Sequence, residues 1–187
     1  PRENSLTLVE REPVTLDPHL VTDALSYRYV TQIFRGLLSL DRDLTLVPEL
    51  ASRWEMAENG TVFIFHLRDD ITFHSGTPIT AQDFKWSLER ATDPTTRSPT
   101  AATYLGDILG VSDRLSGQAT EIQGVQVVDN KTLRIEIDSP KAYFLSKLTY
   151  PTSFVLNREN VEEQSVVWYS TPDGTGPFML KGWDRGR

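Results

Sequence analysis

The sequence predicts an α+β fold, with α and β elements mixed along the chain, on three observations. Alternating apolar stretches meet at turn-forming residues, most plainly at Asn59-Gly60, so hairpins should form between neighbouring segments. Between the hairpins lie stretches with apolar residues at helical spacing and capping residues at their starts. No segment repeats and no low-complexity tract interrupts the 187 residues.

Taken in order, residues 5–9 alternate and read as a strand. Leu16-Asp17-Pro18-His19 is a turn, because Pro18 pushes Asp17 into an extended conformation. Ser26 is expected to cap a helical run with Tyr29, Ile33, Phe34 and Leu37 on roughly one face and Gly36 near its end. Residues 37–40 and 44–47 flank Asp41-Arg42-Asp43 as a short hairpin, and residues 48–52 read as a helical turn before Trp54. Asn59-Gly60 then joins residues 53–56 to residues 61–68. In the second arm Val62, Ile64, His66 and Arg68 face one way, and Phe63, Phe65 and Leu67 the other.

Thr80 and Asp83 make a capping box, with Asp in place of the usual Glu or Gln. Its helix carries Phe84, Leu88 and Ala91 on one face and stops before Pro94. A loop rich in Thr, Pro and Ser (residues 92–100) precedes a short helix around residues 104–109. A second hairpin joins residues 122–128 to residues 132–137. Phe144, Leu145 and Leu148 suggest a further short helix, residues 153–156 a strand, residues 171–177 a bend, and residues 178–180 a last strand.

Composition narrows the function. The length suits one ordinary domain or two small ones, and 39% hydrophobic with 24% charged residues suits a chain that buries a core. A net charge of −7 without basic runs argues against nucleic acid and anionic membrane, which need clustered Lys and Arg. A cationic or zwitterionic small ligand is compatible with it. No apolar window is long enough to cross a bilayer. The start at Pro1, without a leader, suggests a processed or trimmed chain. The lack of cysteine removes disulfides and thiolate metal sites without deciding the compartment.

Catalytic signals are weak. His66 and His74 stand on strand arms, yet no third ligand lies at zinc spacing, so no metal is expected. There is no Gly-x-Ser-x-Gly, and with 26 acidic residues a pair at glycosidase spacing discriminates nothing. Gly174-Thr175-Gly176 leads into Pro177 and a strand, whereas a phosphate loop opens a helix, so no cofactor is expected. Trp54, Phe63, Phe65, Phe73, Phe84 and Trp86 read as core. The stretch FHLRDDITFHSGTPITAQDF, which contains three of them, reads as scaffolding, with a tight turn at Gly76.

Three further stretches carry a resemblance: "LDPHLVTDAL…IFRGLLSLD", "VPELASRWEMAENGTVFIFHLRDDITFHSGTPITAQDFKWSLERATDPTTRSP" and "GTGPFMLKGWDRG". In this order and spacing, from about Ser5 to Arg187, the chain resembles the family 5 extracellular solute-binding proteins, peptide receptors of ABC importers. The resemblance implies a periplasmic-binding-protein-like fold of class II, with one lobe plus the family's extra subdomain and the second lobe missing. Residues 1–40 and 157–187 would belong to that lobe, with residues 5–9 and 178–180 in one sheet, and residues 41–156 to the subdomain on its flank.

It also implies a non-catalytic monomer, periplasmic or extracellular, that hands peptide to ABC permease subunits, with room for a lipoprotein anchor. A bound peptide would pair its backbone with a strand-like segment at Thr22, Asp23, Ala24 and Leu25. A second contact would fall in the Ser98-Pro99-Thr100 loop. Relatives often place a tyrosine there; this chain has Thr100, and Tyr104 is the nearby substitute. Asp23 has two readings, as a holder of a ligand cation or as a cap of the following helix. Nickel complexes, haem, opines and oligosaccharides are alternative ligands, and the ligand-sensing domain of an intracellular transcriptional regulator is the alternative role.

Overall fold

A computed structural model describes residues 11–163 and 165–184. Its helices are α1 (Ala24–Ile33), α2 (Ala81–Ala91), α3 (Ala101–Leu105), α4 (Val111–Leu115), α5 (Phe144–Lys147) and α6 (Arg158–Glu163). Its strands are β1 (Leu38–Leu40), β2 (Leu46–Pro48), β3 (Ala51–Ala57), β4 (Val62–Leu67), β5 (Val125–Asp129) and β6 (Thr132–Glu136). β1 and β2 form a two-stranded ribbon, and the other four make an antiparallel sheet in the order β3-β4-β6-β5. Mixed α and β is what the sequence predicts.

Local chemistry accounts for much of this. Glu58, Asn59 and Gly60 all take positive φ, so the chain reverses tightly between β3 and β4. Phe63, Phe65 and Leu67 are buried while Ile64 and His66 are half-exposed, the alternation expected of β4. Asp83 Oδ2 accepts from the Thr80 amide and hydroxyl, each at 2.8 Å, which closes the capping box of α2. Phe84, Leu88 and Ala91 then bury the face of α2 that meets the sheet.

Six local expectations are corrected. Asp23, not Ser26, caps α1; the Ser26 hydroxyl is instead buried and accepts from the amides of Val14 and Thr15. The helix ends at Ile33, so Phe34 and Leu37 lie beyond it. Residues 48–52 form no helical turn. Glu49 and Ala51 donate to Leu37 O, and Leu50 O accepts from Arg68, so the backbone is held by cross-strand partners. The single helix expected at residues 104–109 becomes α3 and α4, separated at Gly110, whose φ of 85° no α-helix accommodates.

Residues 153–156 are no strand either: after a 3-10 turn at Pro151–Ser153, the Val155 amide donates to Arg35 O and that of Leu156 to Ser87 Oγ. Residues 178–180 form no ladder, and the Phe178 amide donates to Gln32 O at the end of α1. Residues 5–9 lie outside the described residues.

Two apolar clusters result. One gathers buried residues from Leu37 to Val155 around the four-stranded sheet and α2. The other combines Leu16, Val21, Val30, Ile33 and Phe34 with Phe154, Leu156 and Trp168. A buried polar group joins them. Arg90, on α2, makes a two-pronged ion pair with Asp17 at 2.7 and 3.2 Å and donates to His19 Nδ1 at 2.8 Å. Its guanidinium also lies 5.4 Å from the Trp168 ring centroid. His19 Nδ1 is therefore an acceptor. Burial, with the Arg90 charge second, lowers the His19 pKa to about 3 and keeps the ring neutral.

Candidate functional site

The residues singled out for ligand contact lie around one seam between the clusters. Thr22 and Ala24 are exposed, and Asp23 and Leu25 half-exposed. They are not a strand: Ala24 and Leu25 form the first turn of α1, and the Asp23 Oδ1 accepts the Leu25 and Ser26 amides at 3.1 and 2.8 Å. The Ser26 side chain first, and then the Ser26 amide, hold the Asp23 carboxyl below its ordinary pKa, so it is ionised at neutral pH. A peptide backbone cannot pair with Ala24 and Leu25 as with a strand, because the carbonyls of α1 point along the helix axis to its own amides, and Asp23 O already accepts from the Tyr27 amide.

The Ser98-Pro99-Thr100 loop is fastened beneath this segment. Ser98 Oγ donates to His19 O at 2.6 Å, and the Thr100 hydroxyl bonds that of Thr152. Tyr104 stacks face to face on Tyr150, with ring centroids 3.8 Å apart and planes 6° from parallel. Tyr27 leans on the same ring at 5.8 Å and 41°. The Tyr150 hydroxyl is 3.4 Å from Val21 O. Burial raises the Tyr150 pKa, with smaller contributions from Tyr104, Tyr27 and Asp23. Tyr104 and the Thr22–Leu25 segment are thus brought to one tyrosine-lined face, while the Thr100 hydroxyl is taken up by an internal contact.

Sequence reading missed Tyr27 and Tyr150. Tyr27 had a signal, standing four residues after Asp23 on the same side of α1. Tyr150 had none; Thr152 and Pro151 place it from far along the chain. Next to Tyr27 lies a cleft of about 200 Å³ lined by Thr31, Arg35, Leu38, Leu40 and Phe154 among others. A larger open groove of about 700 Å³ runs between α2 and β5 and includes none of the expected site residues. His66 and His74 do not converge: His66 bonds Glu55 at 3.0 Å and His74 bonds Gly176 O at 2.8 Å.

Known proteins share this fold. The murein tripeptide-binding protein MppA of Escherichia coli superimposes with a TM-score of 0.87 at 32% identity, over 94% of this chain and 35% of that one. Haemophilus influenzae OppA, solved with the peptide RPPGFSPFR, gives 0.86 at 28% identity, over 92% and 34%. The architecture is that of a solute-binding protein. Residues 45–187 match the family model of the bacterial extracellular solute-binding proteins, family 5, and the chain belongs to that family.

Among curated relatives, E. coli periplasmic oligopeptide-binding protein OppA is 34% identical over 180 residues, covering 92% of this chain and 32% of its own length. The probable deoxycholate-binding periplasmic protein YgiS of E. coli is 33% identical over 178 residues, covering 92% and 33%. The chain thus spans about a third of the length of these relatives.

Proposed function

We propose that this chain is part of a non-catalytic receptor that captures peptides outside the cytoplasm for import by an ABC permease. The observation that carries the reading is the family match, combined with similarity to peptide-binding relatives over nearly the whole chain. The proposed division is a lobe (residues 1–40 and 157–187) and a flanking subdomain (residues 41–156); the two apolar clusters follow it only roughly, since Leu37 and Leu38 join the sheet cluster and Phe154 and Leu156 the other. Ligand would lie on the tyrosine face at their seam, against Thr22 to Leu25 and Tyr104.

A receptor of this kind closes on its ligand, so the opposing wall supplies much of the pairing and excludes water. A peptide on one wall loses its freedom while gaining only part of its contacts. Calorimetry with a peptide library tests this. The 187-residue chain should bind no better than about millimolar, and the full-length receptor orders of magnitude more tightly. Micromolar binding by the 187 residues alone would show that the site is complete within them and located differently.

A further inference from the structure

We infer that Asp23 and the tyrosine face beside it form a subsite for a cationic group, selecting peptides with a Lys or Arg side chain at that point. The inference rests on the peptide-receptor reading and deepens it. Among the described residues no Lys or Arg pairs with Asp23, whereas Asp17, Asp93 and Asp107 each have a cationic partner within 2.7 Å. Both cap bonds go to one carboxylate oxygen, Oδ1. Capping uses the carboxylate's lone pairs and partly offsets its charge through the helix dipole, yet a net negative charge remains at a half-exposed position.

Tyrosine rings stand near that charge, Tyr150 close enough to feel it. Tyr27 lies one turn along α1 on the side of Asp23 and is 39% exposed. Tyr150 stands behind Tyr27, and Tyr104 stacks on Tyr150. Ring faces attract cations, and the attraction strengthens when water is excluded. A long basic side chain suits both parts: its methylenes lie along tyrosine rings and its charged end meets the carboxylate. Arg28, five residues beyond Asp23, is turned about 140° away around the helix axis, so it does not screen this face. An anionic ligand such as a bile acid would meet repulsion here.

The test is calorimetry of the full-length receptor with Ala-Lys-Ala and Ala-norleucine-Ala, each with a free and an acetylated amino terminus. The Lys peptide should bind about three- to fivefold more tightly, whether acetylated or not, and the ratio should shrink as salt is raised. Asp23→Asn keeps a capping side chain but removes the charge, so the Lys-to-norleucine ratio should fall to near one within that variant. Equal affinity of the two peptides for the unaltered receptor would overturn the inference and leave the receptor reading standing. A preference that depends on the free amino terminus and not on Lys would overturn the side-chain assignment. Failure of every peptide to bind, or binding of deoxycholate alone, would overturn both readings.

Discussion

Two junctions between the apolar clusters are built in opposite ways. At the junction around Gly174, most polar groups are consumed by the protein itself, the buried His74 Nδ1 being left without a partner. The His74 amide and Nε2 bond Gly174 O and Gly176 O, both at 2.8 Å. The Ser75 amide and hydroxyl and the Asn157 amide group all donate to the Asp173 carboxylate. The amides of Thr175 and Gly176 both donate to Ile33 O. At the tyrosine face, a capping carboxylate stands half-exposed on the same helix as Tyr27. The contrast separates architecture from recognition: a group whose hydrogen bonds are complete locally has nothing to offer a ligand.

The largest expected effect is at the ion pair under both surfaces. Arg90→Met leaves the Asp17 side chain, only 2% exposed, without a counter-charge. It should lower stability by about 3–5 kcal/mol in chemical denaturation, and a loss below 1 kcal/mol would show that the pair is not what joins the clusters. Gly174→Ala comes next. Its Cβ would stand 2.1 Å from Ile33 O, a backbone atom that cannot swing away. A loss of about 3 kcal/mol is expected, with thermal unfolding as the readout.

Gly76→Val isolates backbone strain, since φ is +90° and a Cβ there meets nothing within 4 Å. A cost of about 1–3 kcal/mol is expected, without change in ligand preference, because Gly76 belongs to the first junction. Gly76→Asn should cost less, as Asn tolerates positive φ.

His19 supplies a pH test. Its folded pKa of about 3 is below the ordinary 6.5, so the unfolded chain binds the extra proton between those values. Stability should therefore be full above 6.5 and fall as the pH drops towards about 3, by up to ~1.4 kcal/mol per pH unit from this group. Urea titrations of His19→Gln across that range should show a shallower decline. The smallest effect belongs to the cap: Asp23→Ala should cost about 1 kcal/mol and Asp23→Asn close to nothing. Equal losses for both would mean that the charge, rather than the cap, stabilises α1.

How much of this was legible depends on distance along the chain. The Asn59-Gly60 hairpin, the Thr80–Asp83 capping box and the positive φ at Gly76 are encoded within a few residues, and each stands where the sequence puts it. Residues 48–52 misled because their local pattern allows a helical turn, while their hydrogen bonds go to Leu37 and Arg68. Ser26 misled because Ser and Asp are both capping residues three positions apart, and the choice fell to whichever faced Val14 and Thr15.

By itself, the sequence determined the alternation of β4, the buried face of α2, the turns and the family resemblance, since period and turn chemistry act between near neighbours. Tertiary structure alone decided that Asp17, His19 and Arg90 share one buried site, that His74 serves Gly176, and that Tyr104 meets Tyr150 and Tyr27 beside Asp23. Those partners are dozens of residues apart, and no local pattern sets them. They meet because packing two apolar clusters favours an arrangement in which most buried polar groups are paired, with His74 Nδ1 and Arg114 Nε the exceptions among the described residues.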